Sequence, residues 1–259
     1  SRNAVMKPSK VKEYADYMSK FGYDTLMLYT EETYEVDGEP YFGHMRGRYT
    51  KDELKDLDAY CKSIGIELIP CIQTLAHLNE MFKWGSYDKI RDLDDVLLID
   101  EERTYTLIDN IFKTLRECFS TNKIHIGMDE AYNVGLGKYL EKHGYQDRFE
   151  TINKLLHRVC EMAKGYSFEP MIWSDMFTKL ALNTSNYYLE STSDEISKRA
   201  NLPDNVSLVY WDYYSTDTER YVRMIEKTKC FNTPVLFAGG IWSWRGFVTD
   251  IKFSIDTSK

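Results

Sequence analysis

The sequence has no apolar run near the roughly twenty residues that a membrane-spanning helix needs, and no secretory leader is recognisable at its N-terminus. It also has no basic stripe. Its 33 Lys and Arg are outnumbered by 41 Asp and Glu and lie scattered among them, for a net charge of -8, which argues against nucleic acid as a partner. The five cysteines (Cys61, Cys71, Cys118, Cys160 and Cys230) are odd in number and widely spaced, with no C-x-x-C pair, so zinc-site spacing is missing. Scattered thiols without a leader point to a reducing compartment, the cytoplasm. With only five His and no H-x-H pair, the sequence disfavours a metal-dependent barrel hydrolase, and no metal or other cofactor is expected. No glycine-rich phosphate fingerprint follows the early strands, which counts against a dinucleotide-binding fold. Low-complexity linkers and internal repeats are also missing.

What remains is globular composition with ample length for a core. The 20 Tyr fit either a tyrosine-rich core or a sugar-binding surface, because ring faces pack on pyranose C–H groups while phenols bond hydroxyls. Short β-rich apolar runs alternate with helical patterns. Lys7 to Phe21 reads as a helix with Val11, Tyr14, Ala15, Met18 and Phe21 on one face, stopped by Gly22. Strands are predicted at 25–29, 67–71, 123–127, 170–173, 187–190, 207–213 and 235–238. Helices are predicted from Thr50, which has Glu53 three residues on as a capping box, and over 101–118, 146–164, 176–182, 194–200 and 218–228. Continuous apolar strands separated by helices imply a parallel sheet covered by helices, and this many repeats favour an α/β fold of the TIM-type (β/α)8 barrel. Seven strands are counted, only Ser1 to Val5 precedes the first helix, and a helix just begins at Phe247 to Ser254. The expectation is one barrel domain over residues 1–259, truncated at strand one and after strand eight, a piece of a longer chain.

Such barrels act at the C-terminal ends of their strands. Those ends read Tyr29-Thr30-Glu31-Glu32, Gln73 to His77, His125-Ile126-Gly127-Met128-Asp129-Glu130, Trp173-Ser174-Asp175, Tyr187-Tyr188, Tyr210-Trp211-Asp212-Tyr213-Tyr214 and Trp242-Ser243-Trp244. Carboxylates, phenols and indoles therefore gather on one rim, the mixture that carbohydrate sites need.

The run His125 to Glu130 resembles the H-x-G-x-D-E signature of the glycoside hydrolase 20 β-N-acetylhexosaminidases, and its continuation through Ala131-Tyr132 is most similar to the hexosaminidase D-type and bacterial N-acetylglucosaminidase branch. The resemblance spans nearly the whole chain. It implies that Glu130 protonates the leaving oxygen and then takes a proton from water, while Asp129 accepts from the acetamido N–H of the substrate. It further implies substrate-binding roles for Arg2 on a sugar hydroxyl, for Glu31 in place of the family's Asp, and for His77, which couples to the acid site. Trp173 and Trp242 would wall the acetamido pocket. Tyr210 and Asp212 match the family's Tyr-x-Asp spacing, in which Tyr supports the acetamido group and Asp bonds a hydroxyl. Tyr213 competes with Tyr210 for that role and lies nearer the strand's open end. Trp244 departs from the acid often found there. His125 is expected to be an inward packing residue.

Ordinary retaining glycosidases set two carboxylates across the scissile bond. Side chains alternate along a strand, so Asp129 and Glu130 are expected to point apart. The resemblance resolves this through substrate assistance, with the 2-acetamido oxygen as nucleophile. The implied activity is exo hydrolysis of terminal β-linked N-acetylglucosamine or N-acetylgalactosamine from a glycan or glycoconjugate. The alternative is a non-catalytic N-acetylhexosamine-binding barrel.

Overall fold

The computed structural model describes residues 4–189, 194–242, 248 and 250–259. Arg2, Ser243 and Trp244 lie outside them. The chain divides into two compact units, Ser1–Pro170 and Met171–Lys259.

In the first unit, α1 (Pro8–Lys20) opens with a proline in its first turn, where a missing N–H costs nothing. It buries Val11 and Ala15, one turn apart. Tyr14 and Phe21, placed on the same face by periodicity, are exposed, because the buried stripe is only as wide as that single row. After Gly22 (φ 85°) come β1 (Thr25–Glu31), α2 (Lys51–Ser63) and β2 (Glu67–Ile72). Thr50 caps α2 as its sequence predicts: its side chain accepts from the Glu53 N–H, and Glu53 accepts from the Thr50 N–H. Two 3-10 turns, Met81–Lys83 and Gly85–Ile90, precede α3 (Glu102–Cys118) and β3 (Lys123–His125). Then follow α4 (Lys138–His143) and α5 (Arg148–Gly165). β2 pairs in parallel with β1 from Thr25–Glu67 to Tyr29–Cys71, and with β3 at Cys71–His125. α3 buries Leu107, Ile108, Ile111 and Leu115, and α5 buries Ile152, Leu155, Leu156 and Val159. Each such side chain contributes about 1.5–3 kcal/mol.

The second unit opens within β4 (Glu169–Trp173) and continues through α6 (Asp175–Ala181), α7 (Asp194–Arg199), β5 (Ser207–Trp211), α8 (Thr218–Lys229), β6 (Val235–Ala238) and α9 (Ile251–Thr257). β4 pairs in parallel with β5, and β5 with β6.

Three predicted strands are corrected, each for the same physical reason. Tyr187 and Tyr188 lie in a turn: Thr184 Oγ1 accepts the Asn186 N–H (3.1 Å) and Asn186 Oδ1 accepts the Tyr188 N–H (3.0 Å), which removes the donors a strand ladder needs. Glu190, the end of that prediction, lies outside the described residues. β5 stops at Trp211, two residues early, where Asp212 Oδ1 takes the Tyr214 N–H (3.0 Å). β3 stops at His125, whose Nδ1 accepts the Gly127 N–H (3.1 Å).

Two buried carboxylates fix the long loop after β1. Glu39, 2% exposed, accepts from both Arg103 guanidinium ends (2.7 and 2.5 Å), Asn110 Nδ2 (3.0 Å) and Tyr87 Oη (3.1 Å). Glu32 is 1% exposed, and burial pushes its carboxyl up to about 7, against the opposing pull of Arg46, whose Nε lies 3.1 Å away.

Arg103→Ala leaves Glu39 buried with half its donors gone and is expected to cost about 3 kcal/mol in urea unfolding. Arg103→Lys should restore only part of it, because an ammonium cannot match the two-pronged contact. Glu32 yields a pH test. Unfolded, it titrates near 4.3; folded, it keeps its proton to about 7. Its contribution to stability therefore falls as pH rises through that window. Glu32→Gln removes this fall, so its stability relative to the parent should be greater at pH 8 than at pH 5. A difference that does not change with pH would contradict the assignment.

Candidate active site

The parallel strands β1, β2 and β3 deliver their C-terminal ends to one edge of the first unit, and the chain leaves each end abruptly. After His125, Gly127, Met128 and Glu130 all adopt positive φ (76°, 71° and 49°). A Cβ at residue 127 would meet Gln73 Oε1 at 2.1 Å and the Ile72 carbonyl oxygen at 2.7 Å, so glycine is needed both for conformation and for room. Gln73 also holds the two residues after this glycine. Its Oε1 accepts the Met128 N–H (3.2 Å), and its Nε2 donates to Asp129 Oδ1 (2.8 Å).

This turn overturns the expected alternation of side chains. Asp129 and Glu130 do not point apart; both reach the same imidazole. His77 Nε2 lies 3.1 Å from Asp129 Oδ2 and 3.6 Å from Glu130 Oε2. Alternation holds only while the backbone stays extended, and here it has left the β region. His77, itself at φ 59°, is held by Asp95, whose Oδ2 accepts its backbone N–H (3.0 Å) and lies 4.0 Å from Nδ1.

The two carboxylates sit in different surroundings. The Asp129 side chain is 18% exposed and that of Glu130 is 39% exposed. Burial alone pushes the Asp129 carboxyl up, but the hydrogen bond and charge of His77 and the hydrogen bond from Gln73 outweigh it and hold Asp129 below the usual carboxylate range. An ionised Asp129 only accepts, so His77 Nε2 carries the proton between them. Glu130 Oε1 accepts from Tyr132 Oη at 3.2 Å. His125 is fully buried, and burial holds its pKa down to about 4, so it stays neutral as a packing residue.

Glu31 ends β1 at φ 48° and is buried; it accepts from Tyr29 Oη (2.8 Å), which in turn lies 3.3 Å from Gln73 Nε2. Glu31, His77, Asp129 and Glu130, all chosen from sequence, therefore share one connected group. Gln73, Tyr29 and Asp95 belong to it but were not singled out as site residues. Gln73 had a local signal, as the polar residue that ends an otherwise apolar strand. Asp95, 18 residues beyond His77 in a loop, had none.

In the second unit, Trp173 is the half-buried last residue of β4. Tyr210 is fully buried in a cluster with Tyr187 and Met224, and its hydroxyl donates to Asp212 Oδ2 (2.7 Å). Asp212, 1% exposed, also lies 3.3 Å from Arg220 Nη2. Tyr213 stacks on Trp211 (ring centroids 5.7 Å apart), and its carbonyl accepts from Trp242 Nε1 (2.7 Å). Trp242 is buried against Tyr214 and Phe253. The aromatics read as a rim thus also form packing, with Tyr213 more exposed than Tyr210.

The family model described as glycosyl hydrolase family 20, catalytic domain, matches residues 10–224. Human hexosaminidase D is 22% identical over 247 residues, 92% of this chain and 48% of that protein. A β-hexosaminidase of Akkermansia muciniphila is 30% identical over 107 residues, 37% of this chain and 21% of its own. Among solved structures, the β-N-acetylhexosaminidase of Bacteroides fragilis matches with TM-score 0.70 at 18% identity, covering 93% of this chain and 49% of that one. A mutant Streptomyces plicatus β-hexosaminidase in complex with its product GlcNAc matches with TM-score 0.66 at 18% identity, over 92% and 46%. The chain spans about half the length of the human relative and of these solved proteins. The structural likeness shows the fold, with the six described strands forming part of the TIM barrel that the strand–helix alternation predicted. The family match runs from within α1 to within α8 and includes the His125-to-Glu130 turn, and by it the chain belongs to glycosyl hydrolase family 20.

Proposed function

We propose that the protein is an exo-acting β-N-acetylhexosaminidase that uses the substrate's own acetamido group as nucleophile. The observation that carries this reading is the pairing of a held, ionised Asp129 with a more open Glu130 around His77. Both Asp129 oxygens already accept hydrogen bonds, from Gln73 and His77. A carboxylate so held is poor at swinging in to attack carbon, but each oxygen keeps a lone pair for an acetamido N–H.

In the first step the acetamido carbonyl oxygen attacks the anomeric carbon while Glu130 gives its proton to the departing glycosidic oxygen. The C–O bond breaks and an oxazolinium forms, its positive charge facing Asp129. In the second step Glu130 takes a proton from water, the water oxygen bonds to the anomeric carbon, and the acetamido group is released. Configuration is retained. The resemblance assigns the acetamido oxygen to a tyrosine of the second unit. The commitment of Tyr210's hydroxyl to Asp212 favours Tyr213. Trp173, Trp242, Asp212, Glu31 and Arg2 keep the sugar-binding roles that the resemblance gives them. The cytoplasm stays the proposed location.

The decisive experiment uses the full-length protein. Aryl β-N-acetylglucosaminide should be cleaved, and the matching aryl β-glucoside at least about a thousandfold more slowly, because the intramolecular nucleophile is gone. Comparable rates would restore an ordinary two-carboxylate mechanism. Glu130→Gln is expected to lower kcat by about 10²–10⁴ and Asp129→Asn by about 10²–10³. Full activity in Glu130→Gln would refute the assignment. Binding of an oxazoline-mimicking thiazoline with no turnover would favour the non-catalytic sugar-binding alternative.

One observation favours a second reading: ligand atoms of His77, Asp129 and Glu130 lie within 4.8 Å of one another, a set that suits a divalent cation. On the hydrolase proposal, dialysis against EDTA leaves kcat unchanged. A loss reversed by added zinc or manganese would support the metal reading.

A further inference from the structure

Two loops leave the edge of the first unit that carries Asp129 and Glu130, one after β1 and one after β2, and their aromatic residues meet. Tyr41 stacks on Trp84 with ring centroids 5.4 Å apart and planes 26° apart, and His44 stands edge-on to Trp84 at 4.9 Å. Tyr41 is 44% exposed, His44 is exposed and Trp84 is half-buried. The chemistry assigned above uses none of the three.

The cluster is rigidly supported from beneath. Phe42, next to Tyr41, is fully buried and packs edge-on against Tyr34 at 5.2 Å. Arg48 Nη1 donates to the carbonyls of Pro40 (3.1 Å) and Phe42 (2.6 Å), which fixes the backbone that presents Tyr41. Gly43 sits at φ 64°, where a Cβ would come within 2.2 Å of the Glu32 carbonyl oxygen. Arg46 joins the two loops: its Nε lies 3.1 Å from Glu32 Oε1 and its Nη1 3.0 Å from Glu80 Oε2. Glu32 follows Glu31 directly, and Glu80 lies three residues beyond His77, so the cluster is built on the same two chain segments as the candidate active site.

We propose that Tyr41 and Trp84, edged by His44, form a binding platform for the sugar rings on the leaving-group side of the scissile bond. This rests on the hydrolase reading. Fixed, part-exposed aromatic rings suit the apolar face of a pyranose. Held in place before binding, the rings lose little conformational freedom when a sugar arrives. The platform would make the protein prefer an oligosaccharide to a single sugar carrying a small aglycone.

The test measures binding by calorimetry in the full-length Glu130→Gln protein, with N-acetylglucosamine and with its β-1,4-linked trisaccharide as probes. The trisaccharide should bind at least about tenfold more tightly than the monosaccharide. Adding Trp84→Ala should abolish that advantage and keep monosaccharide affinity within about twofold. Tyr41→Ala, at the more exposed ring, should reduce the advantage should Trp84→Ala fail to fold, and Trp84→Phe should retain most of it. Monosaccharide binding without a trisaccharide advantage, or an advantage that survives both alanine variants, would overturn the platform while leaving the hydrolase reading in place. Binding of neither sugar would overturn both.

Discussion

The chain leaves β3 through a turn in which side chains, not a neighbouring strand, take the backbone N–H groups. His125 Nδ1 takes that of Gly127, and Gln73 Oε1 takes that of Met128. With those donors satisfied, the backbone is free of the ladder and adopts the positive φ angles that bring Asp129 and Glu130 to one imidazole. The other end of the same Gln73 amide holds Asp129. One uncharged side chain therefore sets the backbone path and the direction of a carboxylate together. The device recurs at the end of β5, where Asp212 takes the Tyr214 N–H.

The electrostatics follow from that geometry. Two carboxylates beside one another would repel, but His77 stands between them with its ring proton directed at Asp129, and Asp95 secures the backbone of His77. The result is an asymmetric pair. Asp129 is half-buried, doubly hydrogen-bonded and ionised; Glu130 is more open and can meet an incoming group. That asymmetry suits a division of labour in which one carboxylate handles protons and the other a neutral N–H. The nearness of the two does not by itself distinguish a substrate nucleophile from a protein one; the fixing of Asp129 on both oxygens is what favours the former.

The loops around this group are anchored by two buried carboxyl groups, Glu39 and Glu32. Glu39 gathers Arg103, Asn110 and Tyr87, and Arg46 ties Glu32 to Glu80. Such contacts are costly to desolvate and tolerate little displacement, so they specify one arrangement of otherwise irregular chain. The part-exposed Tyr41–Trp84 stack inherits its position from them.

The sequence alone determined the alternation of apolar strands and amphipathic helices, the Thr50 cap, and the motif that ends in Asp129 and Glu130. These are local: periodicity, capping and residue order are written in neighbouring residues. Four of the chosen site residues, Glu31, His77, Asp129 and Glu130, also converge, because parallel strands deliver their ends to one edge. Only the tertiary structure decided that the two carboxylates face the same histidine, that Gln73 orients Asp129, and that Asp95 holds His77. The physical reason is common to all of these. Each depends on a side chain accepting or donating across residues that the fold, not the chain order, brings within about 3 Å, and strand alternation ceases to hold wherever such a contact replaces a ladder hydrogen bond.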